Sequence, residues 1–412
     1  MKSMKVWIKY LIGVALGILA ALILPTDNVA CVRFFAFLAE LFIRVGRYVV
    51  VPLIFVTTIV AVNKLRTARL IWKTTRWTFS IIVISSFLLT FVGLISILIV
   101  RLPRIPITVD VVTEVQQIDI KGLILSIFPY SGFDALREGS FLFVSFVFAF
   151  LIGWESASEE TVFKPIIVLS DSFSKLFYSI SNFFTEILSI CSLAIVCYWF
   201  INFKGVIEPG IYTPMIIMFL VDFIIIVGII YPVVLRVVCH DPHPYRVLYA
   251  SIAPMILAFF SGDSNLVLPL TYRHAAESLG VRRRSRGFTL PLFSVFARGG
   301  SALVAAISFI LIWRSYSSLS IPVSDILWIF GLSFGLSFLL GGIPSGGAFI
   351  LVIILCEKYA RGFETSFLLL KPASLIICSF ASLFDVATAM FGSYIVSVKT
   401  KLIEHHTIQH FI

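Results

Sequence analysis

The chain has 412 residues, of which 59% are hydrophobic, 15% aromatic and only 13% charged, with 40 phenylalanines and a formal net charge of +10. A soluble domain is roughly 25% charged, so half that share cannot clothe a globule of this size, and the long apolar runs exclude a disordered chain. The runs are continuous, unlike the alternating segments of about ten residues that build a membrane barrel, which leaves an all-α polytopic membrane protein.

Lys2, Lys5 and Lys9 precede an apolar run that ends at Pro25. No small-x-small cleavage pattern follows, so the run reads as a retained first helix and not as a signal peptide. Phe34–Val62 carries Glu40, Arg44 and Arg47, so one face of the second segment must meet protein rather than lipid. A basic link (Lys64, Arg66, Arg69, Lys73, Arg76) leads into the charge-free stretch Trp77–Val100, which suffices for a span of about 20 residues. Arg101–Lys121 reads as a polar loop. Gly122–Trp154 reads as a span fragmented by a Gly/Ser break near Tyr130. Phe163–Phe203 is amphipathic at first, with Lys164, Asp171 and Lys175, and apolar after Glu186. Ile211–Val238 is the sixth span; its Asp222, like Glu186, reads as a helix-packing polar group. The six cysteines are scattered through apolar segments without a CxxC pair, so they read as core residues and neither a disulfide nor a metal site is expected.

The second half differs in kind. Ala250–Phe260 and Leu266–Leu270 flank the polar tip Ser261-Gly262-Asp263-Ser264-Asn265, and each arm is too short to cross a bilayer. From Ile321 to Leu355 the pattern repeats around Gly341-Gly342-Ile343-Pro344-Ser345-Gly346-Gly347. A longer helix with a polar interruption is expected after each unit: Phe288–Trp313, broken at Ala297-Arg298-Gly299-Gly300-Ser301, and Thr365–Val398, containing Cys378 and Asp385. Paired Gly/Pro-broken segments mark the midplane site of a transporter, because unwound backbone at membrane depth must be buried or line a cavity.

With the N-terminus in the cytoplasm, eight crossings and two re-entrant hairpins put Lys2–Lys9, Lys64–Arg76, Arg236, Arg246, Arg273, Arg282–Arg286, Lys399 and Lys401 on the cytoplasmic side, as the positive-inside rule expects. The arginine run is thereby read as a topology signal ahead of a nucleic-acid or lipid-specific site. Both termini are expected in the cytoplasm, with the chain in the cytoplasmic (inner) membrane.

The residues then carry a resemblance. Val51-Pro52-Leu53-Ile54-Phe55, Leu268-Pro269-Leu270-Thr271, Phe288-Thr289-Leu290-Pro291-Leu292 and Gly342-Ile343-Pro344-Ser345-Gly346-Gly347 resemble, in order and spacing, motifs of the dicarboxylate/amino acid:cation symporter family, the glutamate and aspartate transporter fold. The resemblance implies eight membrane helices plus two hairpins in a homotrimer, with an inverted-repeat transport core that moves as an elevator. Residues 1–70 would hold scaffold helices 1 and 2, and 71–105 transport-domain helix 3. Residues 106–205 would hold scaffold helices 4 and 5, and 206–412 the rest of the transport domain.

The chemistry departs from the family. Its serine triplet at the first tip aligns with Asp263, Ser264 and Asn265, and its Asn-Met-Asp-Gly-Thr sodium motif with Ala297, Arg298, Gly299, Gly300 and Ser301. The readers of the substrate's amino group and side-chain carboxylate align with Cys378 and Ala381, and two sodium ligands with Asp385 and Ala389. A hard cation needs several oxygen ligands, and a fixed guanidinium nearby opposes it.

The expected function is therefore secondary-active transport, by symport or exchange, of a small organic solute such as an amino acid or carboxylate, independent of sodium and with Arg298 replacing a cation site. The substrate-binding set implied by the resemblance is Asp263, Ser264, Asn265, Arg298, Ser301, Ile343, Pro344, Ser345, Gly346, Cys378, Ala381 and Asp385. Asp385 and Asp263 are the cation or proton candidates, and Asp263, Asp385 or the bound solute is expected within salt-bridge distance of Arg298. No cofactor, metal or nucleic acid is implied; the partners are the solute, the lipid bilayer and further copies of the chain. A passive pore or anion conductance on the same fold is the alternative, and an intramembrane aspartyl protease using Asp263 and Asp385 as a dyad is a remoter one.

Overall fold

The computed structural model describes residues 5–24, 29–106, 120–126, 142–317, 321–343, 345–404 and 411. In chain order the α-helices are α1 (Val6–Ile23), α2 (Val29–Arg47), α3 (Val50–Thr67), α4 (Ile71–Ile99), α5 (Ile120–Ser126), α6 (Leu142–Glu155), α7 (Glu160–Ile207) and α8 (Thr213–Phe223). They continue as α9 (Tyr231–Cys239), α10 (Tyr245–Ser261), α11 (Ser264–Glu277), α12 (Arg283–Phe296), α13 (Gly299–Tyr316), α14 (Val323–Ser337), α15 (Gly347–Tyr359) and α16 (Ser374–Lys399). Among the described residues, seven helical stretches are long and apolar enough to cross a membrane. The expected fragmented span contributes α5 and the 14-residue α6; its break near Tyr130 lies outside the described residues, as does most of the Arg101–Lys121 loop.

The helix that is apolar all round sits at the centre, as such helices do. In α13 every residue from Gly299 to Trp313 is buried, and in α16 every residue from Ser379 to Ser397. Around this pair pack α4, α12, α14 and α15. A second group forms around α7, which carries α1, α2 and α3. α3 also packs on α6 and, across the groups, on α12. Apolar side chains left on the outside, such as Leu16, Leu19 and Leu22 of α1 and Phe87 and Phe91 of α4, suit a hydrocarbon solvent.

The two expected hairpins are α10–α11 and α14–α15. Their tips meet: the backbones of Asp263 and Ser345 form an isolated antiparallel bridge. The break in Phe288–Trp313 falls at Ala297 (φ −83°, ψ 62°) and Arg298 (φ −100°, ψ 27°), between α12 and α13.

Three expectations need correction. The last long helix has no interruption: α16 runs unbroken over 26 residues, because Asp385 finds its donors on α13 and its own backbone ladder need not open. The second segment divides into α2 and α3 at Tyr48-Val49, where Tyr48 N–H turns back to the Val45 carbonyl. The sixth span carries a π-helical stretch, Ile224–Ile230, directly after Asp222.

Candidate functional site

The first tip is built from two opposite helix-end signals. Gly262 ends α10 at φ 62°, a left-handed position that favours glycine. Asp263 then opens α11 as its N-cap, with Oδ1 accepting from Asn265 N (2.9 Å) and Leu266 N (3.4 Å). Its other oxygen, Oδ2, takes the guanidinium of Arg47 from α2. The same guanidinium reaches the second tip, where Nη2 donates to Ser345 Oγ at 3.4 Å. One arginine therefore spans from α2 to both tips. Asp263 is wholly buried in this arrangement, while Ser345 is exposed.

The second centre lies at the broken helix. Breaking the chain before Gly299 frees the first N–H groups of α13, and these point at Asp385 of α16. Asp385 Oδ1 accepts from Gly300 N (2.8 Å) and Ser301 N (3.2 Å), and Oδ2 accepts from Ser301 Oγ (2.8 Å). A carboxylate at a helix N-terminus is stabilised both by these donors and by the helix dipole. The approach requires glycine: a Cβ on Gly300 would stand 2.3 Å from Phe384 Cβ and 2.8 Å from Asp385 Oδ1. At Gly299, where the resemblance has an acidic sodium ligand, a Cβ would stand 2.6 Å from Ser86 Cα of α4. The slot for that ligand is closed.

Arg298 fills the gap. It is 3% exposed, and its Nη1 stands 3.7 Å from Asp385 Oδ2, a loose ion pair. Its Nε and Nη2 have no hydrogen-bond partner among the described residues. Buried guanidinium donors are normally satisfied, so this edge stands out, together with the ring nitrogens of His274 and the hydroxyl of Ser264, which also lack a partner among the described residues. Asp263, the other expected partner of Arg298, is held instead by Arg47.

The remaining expected site residues fall around these two centres. Ser264 is buried with its hydroxyl unpartnered among the described residues. Ser294 Oγ donates to Asn265 Oδ1 at 3.4 Å. Cys378 is half-buried, its Cβ 3.9 Å from where a Cβ on Gly262 of the first tip would lie, and Ala381 is buried, with its carbonyl 3.0 Å from where a Cβ on Gly300 would lie. Gly346 opens α15 at φ 82°, and Ile343 is half-buried. Pro344 lies outside the described residues.

A cavity of about 1220 Å³ opens above the tips, between them and α2, α3 and α7. Arg47, Asp263, Ser261 and Ser345 contribute to its polar lining, and Tyr48, Phe55, Phe177, Tyr198, Trp199 and Phe260 to its aromatic lining. Arg47, the residue that joins both tips, is the one that sequence reasoning missed. The available signal was an arginine inside an apolar segment, but nothing local pointed 216 positions along the chain to Asp263. The two weaker acids are engaged as packing groups: Asp222 accepts from Ser96 Oγ at 2.9 Å, and Glu186 meets Lys9 and Arg273.

Asp263 and Asp385 each have their own arginine and their own helix N-terminus, an arrangement unlike two carboxylates sharing one proton.

Comparison with known proteins identifies the family. A stretch of 113 residues is 31% identical to the neutral amino acid transporter B(0) of Homo sapiens, covering 27% of this chain and 21% of that protein. The Bos taurus protein of the same name is 32% identical over the same length. The excitatory amino acid transporter 3 of Homo sapiens is 25% identical over 178 residues, which is 43% of this chain and 32% of that one. The chain thus spans about a fifth to a third of the length of the curated relatives it matches. The sequence profile of the sodium:dicarboxylate symporter family matches residues 6–399, nearly the whole chain. The chain is an integral membrane protein that belongs to the sodium:dicarboxylate symporter family.

Proposed function

We propose that the protein is a secondary-active transporter, a symporter or exchanger, of a small organic solute bearing a carboxylate, and that it works without sodium. The observation that carries this reading is the unoccupied edge of Arg298. Nε and Nη2 lie on one side of the guanidinium, the side that meets a carboxylate through two parallel N–H···O bonds. The Ser264 hydroxyl is a further unpartnered polar group for such a solute. The guanidinium takes the place of a bound cation, and the closed slot at Gly299 supports the loss of sodium. The names of the relatives favour an amino acid among carboxylate solutes.

On this reading α4 and α8–α16 form a transport unit that moves as an elevator against α1–α3 and α5–α7, in a homotrimer of the cytoplasmic membrane with both termini in the cytoplasm. The Arg47–Asp263 pair then crosses the moving boundary. A proton route through Asp263 or Asp385 would require one of them to give up the donors described above.

The test is uptake into proteoliposomes. Saturable, trans-stimulated uptake of an amino or carboxylic acid is expected, with the same affinity in sodium, potassium or choline. Arg298→Met should fold and lose uptake. A rise in affinity of about tenfold with sodium, or 1.4 kcal/mol, would overturn the coupling. Normal uptake by folded Arg298→Met would overturn the site. One observation favours a second reading: Arg44 and Arg47 line the cavity between α2 and the tips, as a passive anion path would need. Linear flux without trans-stimulation would select it.

A further inference from the structure

The arginine run at the start of α12 lines a cleft of about 310 Å³, bordered on one side by Glu404. Its geometry is fixed by backbone. Arg282 N–H donates to the Leu402 carbonyl at 3.0 Å, Glu404 N–H donates to the Gly280 carbonyl at 2.8 Å, and Val281 bridges to Ile403. Lys64 of α3 enters from the opposite side, so Lys64, Arg282, Arg283, Arg284 and Arg286 share the lining with one carboxylate, Glu404.

The acids nearby do not balance these charges. Asp171 is shared three ways, by Lys64 (2.9 Å), Lys175 (3.0 Å) and Arg283 (3.1 Å). Glu404 is taken by Arg282 at 3.2 Å. Arg286 lies on the ring of Tyr178, 4.9 Å from its centroid, and donates only to the Val281 carbonyl at 3.4 Å. Among the described residues, neither Arg284 nor Arg286 has a carboxylate within salt-bridge distance. Glu277, which accepts from the Tyr178 hydroxyl at 2.8 Å, also attracts Arg286 from beyond salt-bridge distance, so six cations face three acids around a space that would hold roughly ten waters.

We infer that this cleft binds a phosphate group. Two guanidiniums without carboxylates supply planar donor forks, the chemistry that recognises phosphate oxygens, and the volume admits a phosphate ester. The cleft opens where α12 begins as an apolar membrane-spanning stretch. That is headgroup depth, where basic pockets between helices take anionic lipid. The phosphate comes either from a lipid headgroup or from free phosphate in solution. Because Lys64 belongs to α3 and the arginines to α12, an occupant would join the two helix groups. The site is separate from the tips and from Arg298, and its test does not depend on what the protein transports.

The experiment uses the full chain and follows thermal unfolding under two probes. In detergent free of phospholipid, inorganic phosphate is titrated. In vesicles, phosphatidylcholine alone is compared with phosphatidylcholine containing phosphatidylglycerol. The test variant is Arg284→Gln with Arg286→Gln, and the control is Lys73→Gln with Arg76→Gln, two exposed cations on α4 that do not line the cleft. At about a factor of five per charge, the test pair should weaken the response about thirtyfold, while the control pair, outside the cleft, should leave the phosphate response unchanged and weaken the vesicle response much less than the test pair does. Stabilisation by inorganic phosphate alone assigns the site to free phosphate, and stabilisation by phosphatidylglycerol alone assigns it to a headgroup. A wild-type protein indifferent to both probes overturns the inference, as does equal loss in test and control. Should the double variant fail to fold, Arg284→Gln alone, whose side chain makes no described contact, is expected to weaken the response about fivefold.

Discussion

Arg298 and Asp385 form a buried pair whose two members are unequally provided for, and the inequality predicts which one the fold can lose. Asp385 keeps three donors without Arg298: Gly300 N, Ser301 N and Ser301 Oγ, at 2.8, 3.2 and 2.8 Å. Arg298 keeps nothing comparable without Asp385, since its remaining nitrogens are unpartnered among the described residues and the side chain is 3% exposed. Asp385→Asn should therefore strand a buried guanidinium, at a cost of about 3–5 kcal/mol. Arg298→Met removes a charge whose nearest contact is a loose 3.7 Å. It should cost less than about 1 kcal/mol or stabilise, because replacing a poorly satisfied buried ion often does. The separation of roughly 3 kcal/mol between the variants corresponds to about a hundredfold in folded over unfolded protein. Denaturant or thermal unfolding in mixed micelles, followed by tryptophan fluorescence, measures it. If Arg298→Met loses as much stability as Asp385→Asn, the carboxylate depends on the guanidinium and not on the helix N-terminus.

Gly300→Ala should destabilise by about 1–3 kcal/mol through overpacking, since the new Cβ meets Phe384 Cβ at 2.3 Å and neither helix can yield cheaply; an unchanged melting midpoint contradicts this. Arg47→Gln removes a charge-assisted link worth about 1.5–3 kcal/mol and should speed thiol labelling of Ser264→Cys, at a buried position of the first tip, about tenfold or more, whereas an unchanged rate means that the tips close without Arg47. Asp241, in the segment between α9 and α10, is held below the usual carboxylate range. Burial alone would raise it, but the Tyr394 hydroxyl, the His243 N–H and the Arg246 guanidinium outweigh that effect. A depressed folded value means that its stabilisation is complete above the ordinary carboxylate pKa of about 4 and is lost as pH falls below it. Melting curves should show that part of the acid loss in the wild type and not in Asp241→Asn.

The hairpins and the broken helix were legible in the sequence because each is a local property: a Gly/Pro-rich tip, a short apolar arm, a polar break in an apolar run. Which acid pairs with which arginine was not. The candidates for Arg298 were Asp263 and Asp385, yet Asp263 is claimed from α2 by Arg47, a partnership settled only when the helices pack. The same reason explains the unbroken α16. An aspartate in an apolar helix looks like an interruption until the N–H groups of another helix are found to meet it. The π-helical stretch after Asp222 left no mark either, since Ile224–Ile230 is as apolar as an ordinary helix interior.

The length of α7 has a mechanical consequence. Its 48 residues make a rod of about 72 Å, more than twice the roughly 30 Å of bilayer hydrocarbon, so much of it cannot lie in hydrocarbon unless it tilts steeply. Along this rod polar links reach the other helix group at three levels: Asp171 to Arg283, Glu186 to Arg273 (with Tyr178, Asn182 and Thr185 joined to Glu277 and Arg273 just before it), and Trp199, whose Nε1 donates to Ser379 Oγ at 2.8 Å. They are spaced about 22 and 20 Å apart at the rise of an α-helix. A stiff rod cannot release them one after another by bending. Any slide of the partner helices by more than a hydrogen-bond length breaks all three together, and they re-form only where new partners come into register. On the proposed elevator reading, the boundary along α7 would therefore act as a ratchet with discrete stops, with half-way positions the least stable ones.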